Sequence, residues 1–385
     1  NANPRETFVA QKTIEKGENW STVYKPLGMT GSNNAVVELS SIPPLNLGKR
    51  LKYLIRYPYG CVEQTTSSVF PQLYLSSLMD LNQTKQEKID KNIKAGIQRL
   101  YQFQNAGGGL AYWPGGKDND WGSNYAGHFM LEAKKLGYNV QDNFINKWIQ
   151  FQTKKAQKWT SKGNTSEDLI QAYRLYLLAL AGKPDLGSMN RLRLKQGDKD
   201  AIAARWYLAA SYFIVGQSKV AEGMVAQAQL EALPYSGNNG AKTFGSKFRD
   251  QALILQALST MNQRDKAQQI VGQISQRLAA DTWLNTQETA QALIAMSKYV
   301  GPKKSNQPLT FEYKIADGMW QKVSSTKPIW QLDLAGEQAS SLILKNSSNQ
   351  LVFARLISDG IPAVMNETES ANGLELSVSY TDMNG

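Results

Sequence analysis

The spacing of hydrophobic and polar residues divides the chain into three zones. Residues 7–41 alternate short apolar runs with Gly and Asn turns, which is typical of β-strands. From about residue 47 to residue 299, apolar residues recur at helical spacing, and the pattern predicts about ten to twelve helices. Alternation returns over residues 309–380, where apolar runs separated by Gly, Asn and Pro predict further strands.

The predicted helices differ in how much of their circumference is apolar. Segments 173–181 and 203–210 are apolar nearly all round, whereas segments 85–100 and 265–278 carry charged residues along one side. A helix that is apolar on all sides is buried, and one with a single apolar stripe is peripheral, so the pattern predicts an inner and an outer layer. The alternation recurs about every 40 residues, the size of helix-pair repeats. A closed α/α toroid satisfies this pattern, with an open solenoid as the alternative.

Strand-like sequence on both sides of the helical zone predicts one β-module that is interrupted by the helical domain. Such an insertion is tolerated where the termini of the inserted domain lie close together, as they do in a closed toroid. Ile42-Pro43-Pro44 marks the first junction, because Pro disfavours helical geometry in the residue before it. The predicted fold class is therefore mainly α, an α/α toroid of about twelve helices inserted into a β-sandwich module.

Composition and charge narrow the class of protein. The chain has 385 residues, of which 42% are hydrophobic, and this content indicates a globular protein. The net charge of +11 suits an acidic partner surface, but no run of Lys and Arg interleaved with aromatic residues indicates nucleic-acid binding. No apolar run approaches the roughly 20 residues of a membrane-spanning helix. A single cysteine excludes an intrachain disulfide.

That cysteine is the centre of the candidate chemistry. Cys61 follows the turn at residues 57–60 and precedes a predicted helix, so its sulfur lies near a helix N-terminus, where a thiolate is stabilised. Gln64, three residues later, can reach back to it. Attack of the Cys61 thiolate on the Gln64 carboxamide would expel ammonia and leave a thioester, which is an activated acyl donor. The alternative is that Cys61 is a small buried hydrophobic residue.

Four neighbouring or unusual residues are candidates for supporting roles. Tyr57 and Tyr59 are predicted to shield the thioester, which survives only where water is excluded. Glu63 is a candidate for proton transfer or for stabilising the helix with its charge near the N-terminus. His128, the only histidine, is either a general base that relays the acyl group or a buried structural residue, and its apolar neighbours favour the structural role. No metal or cofactor site is predicted.

The sequence Gly60-Cys61-Val62-Glu63-Gln64 resembles the Gly-Cys-x-Glu-Gln motif of the superfamily of thioester proteins that contains α2-macroglobulin and complement. Residues 45–67 are similar to the bacterial α2-macroglobulins, and segments 121–133 and 283–295 support the resemblance, which spans about residues 35–300. It implies a fragment centred on the thioester domain.

The resemblance also implies domain boundaries. These are a CUB-like β-module in two parts at residues 1–45 and 301–360, an α/α-toroid thioester domain at residues 46–300, and the start of a macroglobulin-like β-domain at residues 361–385.

The function implied by the resemblance is broad-spectrum protease inhibition without catalytic turnover. Cleavage of a bait segment outside this domain would expose the thioester, and Gln64 would then acylate a lysine amine of the attacking protease. Residues 167–173 lack the histidine that the hydroxyl-preferring complement proteins carry there, which favours amines over sugars. Bacterial relatives of this kind work in the periplasm or cell envelope, often held to the inner membrane by a lipid anchor that would lie outside this chain.

Three other functions stay open at the level of sequence. A papain-like protease would pair Cys61 with His128, although the helical scaffold and the local sequence differ from that family. An α/α-toroid glycosidase would need two carboxylates across a cleft, for which Asp118, Asp120 and Glu132 are candidates. A catalytically inert helical scaffold or interaction module would leave the Cys61–Gln64 pair without a chemical role.

Overall fold

The computed structural model describes most of the three zones. The described residues are 5–45, 47, 57–161, 165–195, 202–235, 237–280, 282–301, 308–334, 338–363, 377 and 382. A predicted helical turn at residues 51–55 lies outside them. So do a predicted strand at residues 374–380, apart from residue 377, and most of the predicted domain start at residues 361–385.

The helical zone forms one continuous apolar core. Its helices are α1 (Val62–Val69), α2 (Leu75–Leu78), α3 (Gln83–Tyr101), α4 (Asp120–Lys135), α5 (Asp142–Lys158), α6 (Thr165–Leu180), α7 (Leu186–Lys195), α8 (Ile202–Ile214), α9 (Ser218–Val225), α10 (Lys247–Thr260), α11 (Arg264–Ala279) and α12 (Thr286–Val300). Short 3₁₀ turns lie at Pro71–Tyr74 and Gly237–Thr243.

Six of these helices form a closed inner ring. In order round the ring, α1 packs on α4, α4 on α6, α6 on α8, α8 on α10 and α10 on α12, and α12 returns to α1. Helices α3, α5, α7, α9 and α11 pack outside the ring. The fold-class prediction of a mainly helical, two-layered toroid is therefore confirmed.

The division into layers follows from the distribution of apolar residues. Every residue of α6 from Leu169 to Ala179 is buried, because the helix is apolar on all sides. Helix α3, by contrast, buries one stripe at helical spacing, which includes Ile89, Ile93 and Ile97, and leaves its lysines in solvent. The same pattern predicted the two layers from the sequence.

Neighbouring inner helices run parallel, which gives the ring two distinct ends. At the end where the helices begin, the Thr286 hydroxyl of α12 donates a hydrogen bond to the Glu63 carboxylate of α1. At the end where they finish, the Lys298 ammonium of α12 contacts the Glu132 carboxylate of α4. We refer to these as the N-terminal and the C-terminal end of the ring.

Strands from both sides of the helical zone form two antiparallel sheets. The strands are β1 (Glu6–Ile14), β2 (Asn19–Tyr24), β3 (Asn34–Ser40), β4 (Leu309–Ile315), β5 (Gln321–Ser325), β6 (Ile329–Leu334), β7 (Ser340–Asn346) and β8 (Val352–Gly360). Their orders are β1-β8-β3-β6 and β2-β7-β4-β5, so each sheet mixes early and late strands. The inward residues of both sheets, such as Val37, Phe311 and Leu344, share a second apolar core.

The boundaries of some elements differ from the sequence-based prediction. Apolar residues at helical spacing predict a helix over residues 219–230, but the helix ends at Val225, and tertiary hydrogen bonds hold the chain beyond it. The Trp206 indole donates to the Gln229 carbonyl at 2.9 Å, and the Gln251 amide donates to the Leu230 carbonyl at 2.6 Å. Helix α7 and strand β5 were not predicted, since both are short and largely polar.

Candidate functional site

The Cys61–Gln64 pair lies at the start of α1, at the N-terminal end of the ring. Cys61 is the N-cap residue, with an extended backbone, and its side chain is buried. The Cys61 backbone N–H donates to Gln64 Oε1 at 3.3 Å, so the Gln64 carboxamide folds back over the turn. The thiol therefore lies at the positive end of the helix dipole, in the same turn as the Gln64 carboxamide.

Gly60 is required by this arrangement for two reasons. Its φ of +89° lies in the left-handed region that side chains disfavour. A Cβ added at this position would lie 2.1 Å from Gln64 Oε1 and 3.0 Å from Gln64 Cδ. On the outer side, the Arg99 guanidinium of α3 donates to the Gly60 carbonyl at 2.8 Å and so fixes the turn. The glycine thus leaves the space into which the glutamine folds.

Tyr112, which sequence reasoning missed, approaches Cys61 from the loop between α3 and α4. Its carbonyl accepts a hydrogen bond from the Val62 N–H at 3.1 Å, and its ring stacks on Phe244 with centroids 6.2 Å apart. A hydrogen bond with Cys61, together with partial burial, raises the pKa of Tyr112 well above its usual value. The glycines within residues 107–116 are the sequence signal for this contact, because a glycine-rich loop can bring its backbone close to a neighbouring helix.

The two tyrosines predicted to shield the site lie at its surface. The rings of Tyr57 and Tyr59 contact each other with centroids 4.7 Å apart. Their side chains are 48% and 69% exposed, and Gln64 is exposed beside them. The structure thus places both residues next to the Cys61–Gln64 pair, and their shielding role stays a prediction.

Glu63 joins the first and the last helix of the inner ring. Its side chain is buried, and Oε1 accepts hydrogen bonds from the Ser67 hydroxyl at 2.7 Å and from the Thr286 hydroxyl at 2.9 Å. The Ser67 hydroxyl also lies 3.3 Å from the Tyr125 hydroxyl. Glu63 therefore belongs to the contact between α1 and α12 that closes the ring.

His128 lies apart from Cys61, in the second half of α4. Its Nε2 is 3.3 Å from the Lys298 ammonium, which can only donate, so Nδ1 carries the proton and donates to the Tyr173 hydroxyl at 2.8 Å. Its ring packs edge-on against Phe70 at 4.9 Å. Burial lowers the pKa of His128 from 6.5 to about 4, which keeps the imidazole neutral.

The charges around His128 are paired at the C-terminal end of the ring. The Lys298 ammonium donates to Glu132 Oε1 at 2.7 Å. Although burial opposes ionisation of Glu132, the adjacent Lys298 holds the pKa of that carboxyl well below its usual range. The cation also lies in the last turn of α12, where the helix dipole favours positive charge.

The carboxylates considered for a glycosidase do not form a pair across a cleft. Asp120 lies at the start of α4, where its Oδ1 contacts the Arg174 guanidinium at 3.0 Å and the Lys155 ammonium at 3.2 Å. Asp118 accepts a hydrogen bond from the Asn105 amide at 2.8 Å. Glu132 lies towards the opposite end of α4, in contact with Lys298.

The described part of the chain contains neither a cluster of metal-ligating side chains nor a helix suited to span a membrane. Within it, no group of three or more His, Cys, Asp or Glu side chains could hold a metal ion. Of the helices that the structure describes, none has the length and apolarity that a bilayer span requires.

Comparisons with known proteins find relatives that are similar in sequence and in fold. Residues 36–170 match the family model of the A-macroglobulin TED domain. The α2-macroglobulin of Escherichia coli strain K12 is 25% identical over 378 residues, a match that covers 93% of this chain and 22% of that protein. The chain thus spans about a fifth of the length of this curated relative.

Solved structures of bacterial α2-macroglobulins share the fold. Salmonella α2-macroglobulin reacted with methylamine is 26% identical with a TM-score of 0.74, over 96% of this chain and 24% of that chain. Trypsin-activated α2-macroglobulin from E. coli is 25% identical with a TM-score of 0.59, over 94% of this chain and 25% of that chain.

The helical ring, part of which lies within the matched residues 36–170, is similar to the thioester (TED) domain of the α2-macroglobulin and complement class of proteins. Within that class, the chain corresponds to the thioester-domain region of a bacterial α2-macroglobulin.

Proposed function

We propose that Cys61 and Gln64 form an internal thioester that acylates lysine amines of an attacking protease. The observation that carries the proposal is the turn at Gly60, which folds the Gln64 carboxamide back onto the N-cap cysteine. In the forming step, the Cys61 thiolate attacks Gln64 Cδ and ammonia leaves. In the capture step, the lysine nitrogen attacks the same carbon, an amide forms and Cys61 leaves as a thiolate.

The position of the Cys61–Gln64 pair supports both the formation of the thioester and its reaction with an amine. The N-terminus of α1 stabilises the thiolate that attacks first and departs later. The sulfur is buried, which limits hydrolysis, whereas Gln64 is exposed and so accessible to an amine. Tyr57 and Tyr59, which lie at the surface beside the turn, are positioned to restrict water further before activation.

The capture consumes the thioester, so we propose a single-turnover trap and not a catalyst. The relation of His128 to the site supports amines as the targets. Its described contacts are at the other end of the ring, with Lys298, Glu132 and Tyr173, so it does not reach Cys61 as a relay to hydroxyl groups. An unprotonated amine attacks a thioester without such a relay.

We further propose the domain division that the family resemblance implies. Residues 1–45 and 301–360 would form one CUB-like β-module, into which the helical domain at residues 46–300 is inserted, and residues 361–385 would begin a macroglobulin-like domain. The mixture of early and late strands in each sheet supports a single β-module. In the whole protein the trap would act in the periplasm or cell envelope, with any lipid anchor outside this chain.

Labelling with a fluorescent primary amine tests the proposed function. The freshly purified chain should incorporate one amine per molecule, and peptide mapping should place it on Gln64. A fluorescent alcohol of the same size should label far more slowly. Cys61→Ala is the matched control, because it keeps Gln64 and removes only the thiol. Equal labelling of the control would contradict the proposal.

A further inference from the structure

We propose that Tyr112 donates a hydrogen bond to the sulfur of Cys61 and stabilises the thiolate that departs when an amine attacks Gln64. The inference rests on the proposed thioester chemistry and assigns the residue that acts on its leaving group. Tyr112 is 51 positions from Cys61 in the sequence, so only the fold brings them together.

Three contacts fix the position of Tyr112 beside the reacting sulfur. Its carbonyl accepts the Val62 N–H at 3.1 Å, so the Tyr112 backbone is held to the first residue of α1. Its ring is stacked on Phe244 with an interplanar angle of 14°, which restricts rotation of the phenol. The adjacent Ala111 N–H donates to the Phe103 carbonyl at 2.9 Å, which ties the loop to the end of α3.

The chemistry of the phenol suits a donor to a thiolate. The hydrogen bond with Cys61, partial burial and the nearby Glu63 carboxylate all raise the pKa of Tyr112, so the hydroxyl keeps its proton at neutral pH. Hydrogen bonds to an ionised acceptor are the stronger kind. As the amine nitrogen bonds to Gln64 Cδ, the carbon–sulfur bond breaks and its electron pair stays on sulfur. The proton lost by the amine finally reaches the thiolate.

The same contact has a second consequence for the free thiol. A donor that stabilises the thiolate should make Cys61 react faster with an electrophile than the same site without the donor. After the thioester has reacted, Cys61 should therefore be alkylated faster at a fixed neutral pH in the native chain than in a variant that lacks the phenol oxygen. This readout reports on the hydrogen bond and would not follow from ring packing alone.

Tyr112→Phe tests the inference, because it keeps the aromatic ring and the backbone contact and removes only the hydroxyl. Methylamine is added to the native chain and to the variant, and thiol release is followed with time. We expect release to be about tenfold slower in the variant, the effect of losing one charge-assisted hydrogen bond. Tyr138→Phe is the matched control, since its hydroxyl contacts Asp90 away from the site, and its rate should equal that of the native chain.

Alkylation of the free thiol by iodoacetamide separates this inference from the proposed function. In methylamine-treated chains at a fixed neutral pH, Cys61 should be alkylated several-fold more slowly in Tyr112→Phe than in the native chain. A native chain without a thioester would contradict the proposed function. The free Cys61 thiol could then still be alkylated in the native chain and in Tyr112→Phe, so the two chains could still be compared. Alkylation profiles that superimpose would overturn the role of Tyr112, whether or not the thioester forms.

Discussion

The two ends of the helical ring each contain a residue of catalytic type, but only one end is arranged for chemistry. At the N-terminal end, Cys61 lies beside a side chain that it can attack, and that side chain is exposed. At the C-terminal end, His128 is fully buried and both of its ring nitrogens have protein partners. The two ends differ in whether the side chain can be reached from solvent. The Gln64 side chain is exposed, whereas His128 is fully buried.

The direction of the helices accounts for part of this difference. The inner helices are parallel, so their positive dipole ends lie together with Cys61 and their negative ends lie together with Lys298. A thiolate is stabilised at the first end, and an ammonium at the second. The ring thus places Cys61, the leaving group of the proposed reaction, at one end and the paired Lys298 cation at the other.

The largest effect is expected for Gly60→Ala at the N-terminal end. The added Cβ would collide with Gln64 Oε1, so the glutamine cannot fold back and amine incorporation should be lost. Gly137→Ala is the matched control, because Gly137 has a φ of +91° and no atom within 4 Å of an added Cβ. Both variants should lose about 1–3 kcal/mol of stability from backbone strain. Amine incorporation by Gly60→Ala at the native level would contradict the geometry of the site.

His128→Ala should affect stability and leave the chemistry intact. The substitution opens a cavity beside Phe70 and removes the partner of the Tyr173 hydroxyl, so the free energy of unfolding should fall by about 3 kcal/mol. Urea denaturation measures this loss. Amine incorporation, measured well below the unfolding transition, should proceed at the native rate. A large loss of rate in the folded variant would restore His128 as a relay.

The pH dependence of the free energy of unfolding should report on His128 at the C-terminal end of the ring. The pKa of His128 is about 4 in the folded chain against 6.5 for a free imidazole, so the unfolded chain takes up the proton first as the pH falls. The free energy of unfolding should therefore decrease from pH 6.5 towards pH 4. Glu132 adds to this loss only below its ordinary pKa of 4.5.

The variant His128→Gln tests that assignment, because it removes the titrating group and keeps a polar side chain. Its free energy of unfolding should depend less on pH than that of the native chain between pH 4.5 and 6.5. Equal slopes for the two chains in this window would show that other groups dominate the titration.

Glu63→Gln is expected to have the smallest effect. Glutamine keeps an oxygen that can accept from Ser67 and Thr286, so stability should fall by about 1 kcal/mol. The rate of amine incorporation should change less than about twofold. Thr286→Val is the matched control, because it removes one of the same hydrogen bonds from the other side. A large loss of rate in Glu63→Gln alone would instead assign proton transfer to Glu63.

The local features of the molecule could be predicted from the sequence. The helices that are apolar on all sides identified the inner layer, and the spacing of Cys61 and Gln64 identified the candidate chemistry, since both depend on residues close together in the chain. Helix α7 was missed because Leu186–Lys195 is polar and contains a glycine. The end of α9 was misplaced because apolar residues at helical spacing continue past Val225, where the helix ends.

The long-range contacts of the site could not be predicted. Glu63 and Thr286 are 223 positions apart, and His128 and Lys298 are 170 positions apart, so no local pattern pairs them. Tyr112 approaches Cys61 because α3 and α4 both pack on α1, which brings the loop between them beside the start of that helix. These contacts could therefore be identified only from the arrangement of the helices.

The most direct test of the central claim is the intact mass of the chain, combined with thiol titration, before and after methylamine. The freshly purified chain should be lighter than its sequence by one ammonia and should have no titratable thiol. Methylamine should then add one molecule of its own mass and release one thiol. A fresh chain with a free Cys61 thiol and an unmodified Gln64 would contradict the account.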